Sequence, residues 1–141
     1  MFNVLDNPLV KRDVTILRDK ETNTSTFRAA LNRVSYAIAI EIANSFELDE
    51  IEVQTPLEKT VGYKIKKQIV LVPVLRAGLS MVDAFLKMIP DANVGHIGLQ
   101  RDEITLKPID YYYKAPKKLE ESLTIVLDPM LATGGSAVAS F

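Results

Sequence analysis

A chain of 141 residues, 48% apolar and 25% charged, has the size and composition of one folded domain or part of one, which excludes disorder as its main state. Its 17 basic and 18 acidic residues leave a formal charge of −1, which argues against the strongly basic face that a nucleic-acid partner requires. Without cysteine there are no disulfides, thiolate metal sites or cysteine nucleophiles, and the single histidine, His96, leaves little for a histidine-rich zinc site.

Residues 1–23 read as a polar arm with a short apolar patch at Val14–Leu17. The opening MFNVLDNPLVKRD lacks the apolar core of a signal peptide, and no later stretch approaches the roughly 18 apolar residues of a membrane span. A cytoplasmic protein with no membrane partner is expected. Phe27, Leu31, Val34, Ile38 and Ile42 recur at spacings of three and four, which predicts an amphipathic helix over 24–46 with Thr24 or Ser25 as its cap. Residues 51–66 alternate around Pro56 and Gly62 and predict two short strands joined by a turn.

Ile69-Val70-Leu71-Val72-Pro73-Val74-Leu75 is a continuous run rich in β-branched residues, the pattern of a strand buried on both faces in a parallel sheet. Pro73 sits awkwardly there, because it cannot donate to a ladder. Arg76-Ala77-Gly78 reads as a turn. Leu79, Val82, Phe85, Leu86 and Ile89 then predict a second helix, ended by Pro90. Val94–Leu99 reads as a strand. The lysine-rich, proline-containing stretch 101–118 surrounds a strand-like Ile109–Tyr113 and predicts a mobile hairpin. Leu123–Leu127 is a second buried strand, and a helix is expected to start at Gly135 or Ser136. This order of elements argues for an α/β fold with a mainly parallel sheet and flanking helices. Ala137, Val138, Ala139 and Phe141 look like the first turns of a buried helix, so the expectation is an arm at 1–23 followed by an incomplete domain at 24–141.

The chemistry concentrates where the second buried strand ends. Asp128 follows that strand, and Thr133-Gly134-Gly135-Ser136 follows in turn. Glycines without Cβ atoms let backbone N–H groups converge, two hydroxyls add donors, and a helix N-terminus adds partial positive charge. Together these suit a phosphate dianion. Ligands of open α/β sheets bind at the carboxyl ends of strands, so Asp128 is placed to accept from ribose hydroxyls or to lie near a metal. The alternative is an ordinary strand-to-helix turn whose glycines serve geometry alone. Arg76, in a turn after the other buried strand, can present its planar donor fork to a pyrophosphate, or be an ordinary surface arginine.

The run Val126-Leu127-Asp128-Pro129-Met130-Leu131-Ala132-Thr133-Gly134-Gly135-Ser136 resembles the phosphoribosyl-diphosphate loop of the uracil phosphoribosyltransferases. Most other phosphoribosyltransferases carry two adjacent acids where this chain has Asp128-Pro129. Val72-Pro73-Val74-Leu75-Arg76-Ala77-Gly78-Leu79 resembles the family's pyrophosphate-binding turn. Arg101-Asp102-Glu103 with Thr105-Leu106-Lys107-Pro108 resembles the start of its flexible hairpin, and Asn7-Pro8-Leu9-Val10-Lys11 and Phe27-Arg28 resemble its N-terminal region. The resemblance spans nearly the whole chain.

That resemblance implies a phosphoribosyltransferase-type fold and the reaction of uracil with 5-phospho-α-D-ribose 1-diphosphate to give UMP and diphosphate. By the same resemblance, Thr133, Gly134, Gly135 and Ser136 hold the 5-phosphate within a loop that includes Pro129, Met130, Leu131 and Ala132. Asp128 contacts the ribose hydroxyls, and Arg76 and Arg101 hold the pyrophosphate, with no covalent nucleophile. Mg²⁺ is the implied cofactor, the state a homo-oligomer, and GTP an effector of some members. The family's uracil-recognising segment lies beyond the phosphate loop and has no counterpart before Phe141, so the chain alone is expected to be inactive. The competing readings are a non-catalytic regulator of the same fold that binds nucleotide or RNA, and an inactive fragment. His96 reads as structural, Tyr111-Tyr112-Tyr113 as strand residues rather than an RNA stacking platform, and Lys117-Lys118 as a solvated face.

Overall fold

The elements run α1 (Pro8–Arg18), α2 (Thr24–Ala43), β1 (Leu48–Gln54), β2 (Lys59–Ile65), β3 (Gln68–Leu75), α3 (Leu79–Met88), β4 (Asn93–Val94), β5 (His96–Arg101), β6 (Pro108–Lys114) and β7 (Ser122–Leu127). The computed structural model describes residues 2–101, 108–114 and 122–130.

The buried run around Val70 is the centre of the sheet. β3 pairs in parallel with β7 from Gln68↔Ser122 to Pro73↔Leu127, and in parallel with β4 and β5. Ile69, Val70, Leu71, Val72 and Val74 are all 5% exposed or less, as a strand covered on both faces requires. Pro73 is accommodated by a gap in the pairing. The ladder with β4 ends at Leu71, the ladder with β5 begins at Val74, and Gly95 between them donates its N–H to the Leu71 carbonyl (2.9 Å). β6 returns antiparallel to β5, with a bulge at Gly98/Leu99, so the sheet is mainly parallel with an antiparallel edge. Ile109–Tyr113 thus lies in a strand as expected, while 102–107 and 115–118 of the predicted hairpin lie outside the described residues.

One face of the sheet carries the main core. Ile69 and Leu71 of β3 and Ile125 and Leu127 of β7 meet Met81 and Phe85 of α3, Ile89 just beyond it, and Ala39 of α2. Leu79–Met88 forms a helix because its apolar positions fall on one stripe, and the chain leaves it at Ile89, directly before Pro90. α2 packs on α3, and α1 packs on α2.

Two local expectations are corrected. The stretch read as a polar arm contains α1, with Asn7 as cap: its Oδ1 accepts from the Leu9 N–H (2.8 Å), and Pro8 occupies a first-turn position whose N–H would be unpaired in any helix. The cap of α2 is Asn23 rather than Thr24 or Ser25, with its Oδ1 accepting from the Thr26 N–H (2.9 Å), and the helix ends at Ala43.

The predicted strand pair is β1 and β2, an antiparallel ribbon in register from Leu48↔Ile65 to Gln54↔Lys59. It forms a sheet of its own, and nearly every residue on both strands is exposed.

Candidate functional site

Three of the predicted ligand-contacting residues come to one edge of the sheet. β3 and β7 are parallel, so both end at the same side, and Arg76 and Asp128 are the first residues past their respective ends. Adjacent strands lie about 4.8 Å apart, so the two loops leave the sheet side by side. Arg101 ends β5, whose Gly98 pairs with Leu75. β5 therefore runs on past the end of β3 by three residues, about 10 Å at 3.3 Å per residue.

The turn that carries Arg76 is tied back onto its own strand. The Gly78 N–H donates to the Val74 carbonyl (2.8 Å), Leu79 N–H to the Arg76 carbonyl (3.1 Å) and Ser80 N–H to the Ala77 carbonyl (3.2 Å). The Ser80 hydroxyl also donates to the Ala77 carbonyl (2.6 Å). The Leu75–Arg76 peptide bond is cis. Arg76 is exposed, so its guanidinium is available at the rim of the sheet.

The second loop is organised by Asp128. Its Oδ1 accepts from the Met130 N–H (3.1 Å), a side-chain-to-backbone bond that turns the chain immediately after the strand. Asp128 and Pro129 are half-buried, and Met130 is exposed. Leu131, Ala132, Thr133, Gly134, Gly135 and Ser136, with the expected helix start, lie outside the described residues.

The two loops touch through a residue that pattern reading treats only as part of a turn. A Cβ on Gly78 would stand 2.3 Å from the Leu127 carbonyl oxygen, 2.6 Å from the Val74 nitrogen and 2.8 Å from the Val74 oxygen. The available signal was a glycine where a strand becomes a helix, which alone does not say what it touches. The wide cleft of about 570 Å³ between the N-terminal segment and α2, lined by Leu5, Leu9, Arg12, Arg33, Tyr36 and Ile40 among others, shares no residue with this edge.

The arginine turn and the acidic loop thus stand side by side at the carboxyl edge of a parallel sheet in an α/β fold, the edge at which open α/β sheets bind their ligands. The family model described as uracil phosphoribosyltransferase matches residues 4–141, so the chain belongs to the uracil phosphoribosyltransferase family. It is 48% identical over 134 residues to the uracil phosphoribosyltransferase of Salinibacter ruber, covering 95% of this chain and 64% of the relative. It is 51% identical over 138 residues to that of Finegoldia magna, covering 97% and 66%. The AQ2163 protein of Aquifex aeolicus has a solved structure that superposes with a TM-score of 0.92 at 35% identity, over 99% of this chain and 67% of that one. The chain thus spans about two thirds of the length of the proteins it matches.

Proposed function

We propose that this chain carries the phosphoribosyl-diphosphate site of a uracil phosphoribosyltransferase, which converts uracil and 5-phospho-α-D-ribose 1-diphosphate to UMP and diphosphate. The observation that supports this reading most directly is the placement of Arg76 and Asp128, in a member of this family, on adjacent parallel strands at one sheet edge. Arg76 and Arg101 bind the diphosphate through charge-assisted hydrogen bonds. Asp128 accepts from the ribose hydroxyls. Thr133, Gly134, Gly135 and Ser136 bind the 5-phosphate. As the bond from C1 to the diphosphate oxygen breaks, its electron pair leaves with diphosphate, and a uracil ring nitrogen forms the new bond to C1 while its N–H proton passes to solvent water. Positive charge fixed at the diphosphate lowers this barrier because negative charge grows there in the transition state.

Mg²⁺ belongs to this reading as an ion bound chiefly by diphosphate oxygens, where it supplies neutralisation of the leaving group. Asp128 fits such an ion, since it sets a carboxylate at the sheet edge where the diphosphate would lie.

The remaining parts of the proposal are a homo-oligomer in the cytoplasm, with GTP as the effector to test. Association is supported by the β1–β2 ribbon, which leaves Leu48, Val61 and Tyr63 more than half exposed and Leu57 at its tip 94% exposed, apolar area that a neighbouring subunit would cover. Among the described residues no helix is long and apolar enough to cross a membrane.

The test is product formation by the full-length protein. Incubated with uracil, phosphoribosyl diphosphate and Mg²⁺, it should form UMP and release diphosphate only when uracil is present. Absence of both products would overturn the proposal.

A further inference from the structure

Gly78 adopts φ −62° and ψ −22°, helical values that any residue takes. Conformation therefore does not require glycine here. Contact does. The three atoms a Cβ would meet are all backbone, on two different strands, and ordinary contact begins only at 3.4 Å. Rotating a side chain cannot relieve a clash with backbone. Both neighbours are also fixed: Leu127 is 2% exposed and lies beside Pro73 at the end of the ladder, and Val74 lies within β3. A methyl group at 78 must then push the start of α3 and the end of β7 apart by about 1.1 Å, the difference between 2.3 and 3.4 Å. The residues displaced are those on either side of the contact. Arg76 lies two positions before Gly78, and Asp128 follows Leu127 directly.

We infer that Gly78 is a positioning residue for phosphoribosyl diphosphate: by letting the first turn of α3 rest on the last carbonyl of β7, it sets the separation between the Arg76 turn and the Asp128 loop. The inference rests on the site reading above. It adds that one ligand is held by two loops whose spacing is fixed at a single backbone contact, so neither can shift without loosening the grip of the other. Misplacing reacting or binding groups by about 1 Å costs on the order of 10²-fold in rate.

The experiment uses the full-length protein and its Gly78→Ala variant, with steady-state kinetics for each substrate at saturating concentrations of the other. The variant should lose about 10²-fold in kcat/KM for phosphoribosyl diphosphate. Its KM for uracil should stay within about threefold, and inhibition by free diphosphate should weaken in parallel. A merely structural role would lower the unfolding temperature without separating the two substrates. If the variant does not fold, hydrogen exchange on the wild-type protein carries the test: phosphoribosyl diphosphate should slow exchange at 76–80 and at 127–130 together. A folded variant with unchanged or equally raised KM values, or protection of one loop alone, would overturn the inference. Failure of the wild-type protein to bind phosphoribosyl diphosphate would overturn the site reading itself, and this inference with it.

Discussion

Asp13 on α1 accepts two hydrogen bonds from Arg33 on α2, Nε to Oδ2 at 2.9 Å and Nη2 to Oδ1 at 2.8 Å. Arg12 adds two more to the same carboxylate, at 3.1 and 3.2 Å. Asp13 is 2% exposed, whereas the arginines reach solvent, so the carboxylate is desolvated and the cations supply its partners. Arg33 does most to hold the carboxyl below its ordinary value of 3.8, burial works against it, and Arg12 lowers it further.

The sign of the pH dependence follows. A carboxyl whose pKa is lower in the folded state contributes stability that is complete above its unfolded value and is lost as pH falls through the folded one. The urea midpoint of the wild-type protein should therefore decline below pH 3.8. Asp13→Asn should be less stable at neutral pH and show a shallower acid decline. Urea titrations at a series of pH values check this, and parallel profiles for the two proteins would show that the pair does not couple to folding.

Phe85 is fully buried where α3 meets β3 and β7, so it joins the helix to both strands that end at the candidate site. Phe85→Ala removes a ring from a packed interior and should lower stability by about 3–5 kcal/mol. Chemical denaturation measures the loss directly. Because the same packing seats α3 on the sheet, the variant should also bind phosphoribosyl diphosphate less tightly at temperatures where it remains folded.

Elements with strong periodicity or continuous apolar runs were legible in the sequence. β3 and β7 announce themselves as continuous runs rich in β-branched residues, and α2 and α3 as apolar stripes. α1 was not, because Lys11, Arg12 and Asp13 interrupt its apolar positions and one of them is buried by ion pairing rather than by hydrophobicity. The cap of α2 stands in Asn23-Thr24-Ser25-Thr26, where every residue type can cap, and composition cannot choose among them. Arg76 and Asp128 could be placed at strand ends because strand ends follow from the runs themselves, whereas Arg101 reads as the start of the hairpin after a strand ending at Leu99 and instead closes β5. The contact between Gly78 and Leu127 could not be placed, since it joins residues far apart in sequence and depends on how a helix settles on two strands at once.

Arg76 should bind diphosphate rather than the base. In the full-length protein, Arg76→Ala should raise KM for phosphoribosyl diphosphate by about 10- to 100-fold, the equivalent of one charge-assisted hydrogen bond of roughly 1.5–3 kcal/mol. KM for uracil should change little. Arg76→Lys restores the charge but not the planar fork, so it should recover only part of the loss. Equal effects on both substrates would contradict the assigned role.

Asp128 has two tasks that a pair of variants can separate. Its Oδ1 already accepts from the Met130 N–H, which shapes the loop, while its negative charge is proposed to meet the ribose hydroxyls. Asp128→Asn keeps a side-chain oxygen for Met130 and loses the charge. It should fold and melt as the wild-type protein does, yet bind phosphoribosyl diphosphate about tenfold or more weakly, since hydrogen bonds to a charged acceptor exceed neutral ones. Asp128→Ala removes both functions, so it should lose at least as much affinity and also release the turn at Met130, seen as faster exchange of the Met130 amide. Titration with phosphoribosyl diphosphate and hydrogen exchange on both variants decide between the tasks. Wild-type affinity in Asp128→Asn together with lost affinity in Asp128→Ala would show that this carboxylate serves the loop alone, and the ribose contact would have to be sought elsewhere on the edge.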